Sequence, residues 1–114
     1  MFDTSLRATT APPEAPAPTQ AAVLAAIVAM IRAGLPAPTR IDFAGGRVTL
    51  RFGYNRSAAV DRWATWWNTR PVLGIEYVGR ASHVCRDYTA SASGHDGWTI
   101  TLTCTVSSAR LGAA

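Results

Sequence analysis

Lysine is missing from this 114-residue chain, and all eleven of its basic residues are arginine. With so much alanine alongside, that usage fits codon preference in a GC-rich genome. The formal charge of +4 is ordinary for a small domain, so arginine content alone does not argue for phosphate contacts. Cysteine is nearly absent, and two residues do not make a disulfide framework. Long apolar runs are missing too. The longest uncharged one, residues 21–31, is too short to span a bilayer. Four prolines precede it and no small-residue cleavage site follows, which argues against a secretion signal. The expectation is a soluble, cytoplasmic, single-domain protein with reduced thiols and no membrane partner.

What the chain does have is tryptophan in one place. Residues 57–70, SAAVDRWATWWNTR, hold three of its four tryptophans. At about 100° per residue, Ala59, Val60, Trp63, Trp66 and Trp67 share one arc, while Asp61, Arg62, Thr65, Asn68 and Thr69 lie outside it. This predicts a core helix capped by Ser57 and stopped by Pro71. Each buried indole is worth about 4 to 6 kcal/mol gross, so Trp63 and Trp67 are assigned to the core. Trp66, at the margin of the face, is the candidate exposed aromatic.

Residues 1–18 are rich in alanine and proline and read as a tail, residues 19–108 as one domain, and residues 109–114 as a C-terminal tail. Thr19 is placed to cap a helix over 20–33 that stops at Gly34. Its apolar face is Val23, Leu24, Ile27, Val28, Met30 and Ile31; the opposite side, with Ala22, Ala25 and Ala29, is bare alanine. Residues 39–53 read as a hairpin turning at Gly45 and Gly46, with Ile41 opposite Leu50 and Phe43 opposite Val48. A short strand over 73–78 should follow the tryptophan helix. A strand over 82–92, a loop over 93–97 and a last strand over 98–106 come next. In the last strand Trp98, Ile100, Leu102, Cys104 and Val106 point inward and the threonines outward. A five-residue loop would set Ala90 opposite Ile100 and Tyr88 opposite Leu102, with Arg86 turned inward beside Cys104. That conflict predicts a bulge near Arg86 or a shifted register. The fold class is α+β: two layers, an antiparallel sheet of four to five strands and two helices on one face, in the order α-β-β-α-β-β-β.

Chemistry is thinly represented. His83, Cys85, His95 and Cys104 are the only residues that could make a soft metal site, but their spacing matches no closed zinc motif. Pairs such as Cys85 with His95, or His83 with Asp87, lack a third orienting group in the sequence. The glycines at 45–46, 94 and 97 are accounted for by turns rather than by a phosphate loop. No catalytic residue, metal or cofactor is assigned.

Two binding readings stay open. Arg40, Arg47, Arg51 and Arg56, with an exposed Trp66, could contact nucleic acid through a basic sheet face. Alternatively Ala22, Ala25 and Ala29, together with Thr101 and Thr103 on a strand near a sheet edge, could serve self-association or a protein partner. The run GLPAPTRIDFAGGRVTLRF at residues 34–52, a Trp-bearing helix and a final strand opening GW together resemble small uncharacterised proteins of actinobacterial genomes, prophages and integrative plasmids. The resemblance covers roughly residues 20–106 and implies an accessory or mobile-element role, with no functional residues to carry over. The expected function is a non-catalytic binding or regulatory module acting by self-association or through a protein partner. An arginine-mediated nucleic-acid binder is the alternative, and a small enzyme comes third.

Overall fold

A computed structural model describes residues 18–95 and 97–108. The tails expected over residues 1–17 and 109–114 lie outside the described residues. Among the described residues two α-helices and six strands follow one another: α1 (Gln20–Arg32), β1 (Arg40–Ala44), β2 (Arg47–Arg51), α2 (Ser57–Trp66), β3 (Val72–Leu73), β4 (Tyr77–Val78), β5 (Val84–His95) and β6 (Trp98–Ser107), with a short 3-10 turn at Arg80–Ser82 between β4 and β5. The class is α+β, with both helices on one face of a single sheet.

Both helices end by the same device. Gly34 follows α1 with φ 118°, and Asn68 follows α2 with φ 55°. Around the first, Gly34 N–H donates to Ile31 O and Leu35 N–H to Met30 O; around the second, Asn68 N–H donates to Thr65 O and Thr69 N–H to Ala64 O. These paired bonds form the Schellman arrangement that satisfies the last helical carbonyls. Helix α2 therefore ends at Trp66, four residues before the end at Arg70 that Pro71 suggested. Its N-cap is Arg56, with no side-chain cap bond, and Ser57 is the first helical residue rather than the cap. At α1 the Thr19 hydroxyl accepts from Ala22 N–H at 3.1 Å, as expected.

The sheet order is β1-β2-β6-β5-β3, with β4 also paired to β5. The β1–β2 hairpin has the expected register, Ile41 opposite Leu50 and Phe43 opposite Val48. The purely antiparallel sheet is corrected at one junction, because β2 pairs with β6 in parallel, Val48 beside Ile100 and Leu50 beside Leu102. Helix α2 carries the chain back across the face, so β3 runs in the same direction as β2. The β5–β6 hairpin then inserts between them and its second strand runs with β2. This brings Val48, Leu50, Ile100 and Leu102 into one buried cluster with Trp63 and Val60 from α2 and Ile27 from α1.

The β5–β6 register also differs. Ala90 faces Leu102, Tyr88 faces Cys104 and Arg86 faces Val106, with an irregularity between Ala92 and His95. Strand β5 continues into what was expected to be a loop, which shortens the turn and moves the register by two residues. A shift of two leaves every side chain on its expected face. Arg86 accordingly stays inward and half-buried. Its Nε has no hydrogen-bond partner among the described residues, and its guanidinium reaches Glu76 at 3.8 Å.

Two indole N–H groups anchor the ends of α1. Trp98 Nε1 donates to Pro18 O at 2.9 Å, and Trp63 Nε1 donates to Pro36 O at 2.7 Å. These side chains fix the segments entering and leaving α1 while Val23, Ile27, Met30 and Ile31 pack on the sheet. Trp66, by contrast, is 62% exposed.

Candidate protein-contact surface

The strand expected over 73–78 is split. Val72 and Leu73 pair with Thr89 and Tyr88 of β5, and Tyr77 and Val78 pair with Cys85 and Val84. Three residues separate Leu73 from Tyr77 where two separate Cys85 from Tyr88, so the 74–76 segment bulges out of the ladder. Gly74 N–H still donates to Asp87 O at 2.8 Å, which holds the bulge against β5.

This edge carries exposed apolar side chains on both sides of the sheet. Ile75 is 86% exposed, Val78 70% and Val72 67%, and Leu73, Tyr77 and Val84 are also exposed. Scattered surface hydrophobes are normal, but a contiguous set of them on a sheet edge marks a contact site or an aggregation site. The opposite edge, β1, is managed with charge. Asp42 takes Arg40 Nε at 2.8 Å and Arg51 Nε at 2.9 Å. Bonds from Arg51 first and Arg40 second hold its carboxyl below the ordinary aspartate value.

A pocket of about 570 Å³ adjoins the apolar edge on the sheet face that carries no helix, lined by Tyr54, Tyr77, His83, Cys85 and Thr105 among others. That volume is within the usual range for small-ligand sites. Tyr77 links edge and pocket, its hydroxyl donating to Asp87 Oδ1 at 2.8 Å. The turn above is tight. Ala81 and Ser82 have φ 55° and 61°, and Gly79 N–H donates to His83 O at 2.7 Å.

A Cβ on Gly79 would sit 3.0 Å from Cys85 Sγ. Gly79→Ala is therefore expected to cost about 1 to 2 kcal/mol by overpacking. In a double-mutant cycle by chemical denaturation, Cys85→Ala in the same chain should recover most of that cost; strict additivity would contradict the contact.

The residues singled out for nucleic acid are not brought together. In register, Arg40, Arg47 and Arg51 share the helix-free face with Thr99 and Thr103, whereas Trp66 sits in the helical layer on the other side. Two of these arginines are spent on Asp42, and Arg56 is exposed at the start of α2. The partner set is divided in the same way. Ala22, Ala25 and Ala29 are exposed on α1, while Thr101 and Thr103 are on the open sheet face, where they meet the hydroxyls of Ser91 and Thr89. Strand β6 is central, flanked by β2 and β5, so it has no free edge for pairing with its twin. The burial of its apolar side requires neighbours on both flanks, which corrects the near-edge placement.

Among the described residues no three His, Cys, Asp or Glu side chains gather to hold a metal. Cys85 and Cys104 are free, buried and on opposite faces of the sheet. The backbone position of His95 is about 30 Å along β5 from Cys85. Burial raises the Cys104 thiol to about 11, which leaves it protonated at neutral pH. Asp87 is engaged by Tyr77 and by Thr105 Oγ1 at 3.5 Å.

Burial first, then the bond its hydroxyl donates to Asp61 at 2.5 Å, raises the Tyr88 phenol to about 12. A group whose folded value lies above its unfolded value stabilises the fold fully below the unfolded value and loses that contribution as pH rises through the folded one. Stability should therefore fall between the ordinary tyrosine value of 10 and about 12. Tyr88→Phe should flatten this fall in denaturation curves taken across that window, and an unchanged fall would assign it to other groups.

The edge residues Val72, Leu73, Ile75 and Val78 were not among the sequence candidates. The available signal was the run PVLGIEYVG, which has one charge and lacks the polar alternation of a half-buried strand. Among the described residues no helix is long and apolar enough to cross a membrane. Comparison of the chain with protein-family models, curated proteins and solved structures gave no match.

Proposed function

We propose that this chain is a non-catalytic binding or regulatory module that works through protein contact, and that the contact surface is the apolar edge over residues 72–84. The observation that carries this reading is the exposure of Val72, Ile75 and Val78 together on a sheet edge that, among the described residues, no further strand pairs with. An edge of this kind binds by offering main-chain hydrogen bonds and apolar side chains together. The free thiols on opposite sheet faces are compatible with a reducing, cytoplasmic setting. The accessory role implied by the likeness to small actinobacterial and mobile-element proteins belongs to the same proposal.

Displayed peptides selected on the immobilised protein test it. Those recovered should be rich in apolar residues, should be lost on Ile75→Glu and should be kept on Arg47→Glu. Peptides that bind wild type and Ile75→Glu equally would put the contact surface elsewhere. The nucleic-acid alternative is tested in parallel by anisotropy with labelled DNA and RNA. Saturable binding at about 50 mM salt that collapses by about 200 mM would support it in place of the edge reading.

A further inference from the structure

We propose that the occupant of the apolar edge is a second copy of this chain, so that residues 72–84 form the two-fold interface of a homodimer. This rests on the protein-contact reading and names its partner. The first argument is area. From their exposed fractions, Val72, Leu73, Ile75, Tyr77, Val78 and Val84, counted over both sides of the sheet, offer at most about 600 Å² per copy, against the about 800 Å² per partner in a standard-size interface.

The second argument is charge. Two copies of a chain with net charge +4 repel unless they meet where charge is absent or cancelled. The six apolar residues carry none, residues 72–84 contain one acid, Glu76, and one base, Arg80, and Glu76 lies 3.8 Å from the Arg86 guanidinium. A patch without net charge is suited to its own image.

The third argument is the contrast between the two sheet edges. Edge β1 carries Arg40 and Asp42, the kind of charge that blocks edge-to-edge pairing. Edge β3–β4 presents apolar side chains instead. An edge strand related to itself by a two-fold axis runs antiparallel to its copy, so donors and acceptors match without a second surface. The bulge at 74–76 limits any shared ladder to short pieces, which leaves the apolar side chains to carry the contact.

Sedimentation equilibrium of the full chain from about 1 µM to about 1 mM spans tight to weak association. The mass of the wild-type protein is expected to rise from 12.1 kDa toward twice that value. Ile75→Glu should weaken association at least about tenfold, whereas Trp66→Glu, a change at an exposed residue of the helical layer, should leave it unaltered. Far-ultraviolet circular dichroism establishes that each variant is folded, and Val78→Glu replaces Ile75→Glu if that variant is not. A wild-type mass of 12.1 kDa throughout, a folded edge variant that still dimerises, or Trp66→Glu dissociating as fully as the edge variant would each overturn the homodimer. The peptide selection separates the two levels: peptides still lost on Ile75→Glu in a strictly monomeric protein overturn the second copy alone. Peptides indifferent to Ile75 overturn the protein-contact surface itself.

Discussion

Replacing Trp63 by alanine is expected to lower the free energy of unfolding by about 3 to 5 kcal/mol, the range for removing a large aromatic from a packed core. The side chain is fully buried between α2 and the sheet, and its ring lies 6.4 Å from that of Phe52, tilted by 48°. Packing is only part of the loss. The indole N–H donates to Pro36 O at 2.7 Å, so alanine also leaves that carbonyl without its donor at the exit of α1. Trp63→Phe separates the two contributions, because it keeps much of the volume and drops the donor. It should cost less than alanine but remain clearly destabilising. Trp66→Ala, three residues and less than one turn further along the same helix and 62% exposed, should fall within about 1 kcal/mol of wild type. Chemical denaturation of the three variants decides the matter. A Trp63→Ala loss below about 1 kcal/mol would contradict the placement of this residue at the centre of the core.

The core was legible because burial writes period 3.6 into a helix and period 2 into a strand. Trp63 and Val60 on one helical face, and Ile100, Leu102, Cys104 and Val106 on alternate positions, identify the packed layer before any coordinates. The β1–β2 register followed from Gly45 and Gly46, whose positive φ values of 50° and 78° make the tight turn. Strand direction was another matter. The pattern VTL in β2 buries Val48 and Leu50 whether its neighbour runs parallel or antiparallel, so periodicity is silent on the β2–β6 junction. The end of α2 was misplaced because a proline is a visible stop, while Asn68 in the left-handed region is one of many turns that an asparagine can make. The candidate surface was hardest of all. The residues of PVLGIEYVG are apolar in the way that core strands are apolar, and only the sheet order shows that the strand they form lies at an edge. Composition specifies what prefers to be buried; it does not say whether this chain or another molecule does the burying.

Asn55 should be the most sensitive residue outside the core. Its φ is 60°, its backbone N–H donates to Thr105 O at 2.8 Å, and its side-chain Oδ1 accepts from Ser107 N–H at 2.7 Å. Together with the bond from Phe52 N–H to Thr103 O at 2.9 Å, these contacts carry the parallel β2–β6 pairing past the end of β2. Alanine fails on two counts. It adopts the left-handed region at a cost of about 1 kcal/mol or more, and it strands the Ser107 N–H at a further cost of about 1 to 3 kcal/mol. Asn55→Ala should therefore destabilise by about 2 to 3 kcal/mol. Glycine removes the conformational cost and keeps the lost bond, so Asn55→Gly should recover about 1 kcal/mol of the difference. Aspartate retains an acceptor and tolerates the same backbone, so Asn55→Asp should stay within about 1 kcal/mol of wild type at neutral pH. The expected order of stability is wild type and Asp, then Gly, then Ala. Equal losses for Gly and Ala would mean that the backbone conformation costs nothing here, and an Asp variant as weak as Ala would remove the acceptor from the argument. Because Asn55 directly follows Tyr54 in the wall of the pocket beside the apolar edge, the same series measures how firmly the parallel junction holds that wall in place.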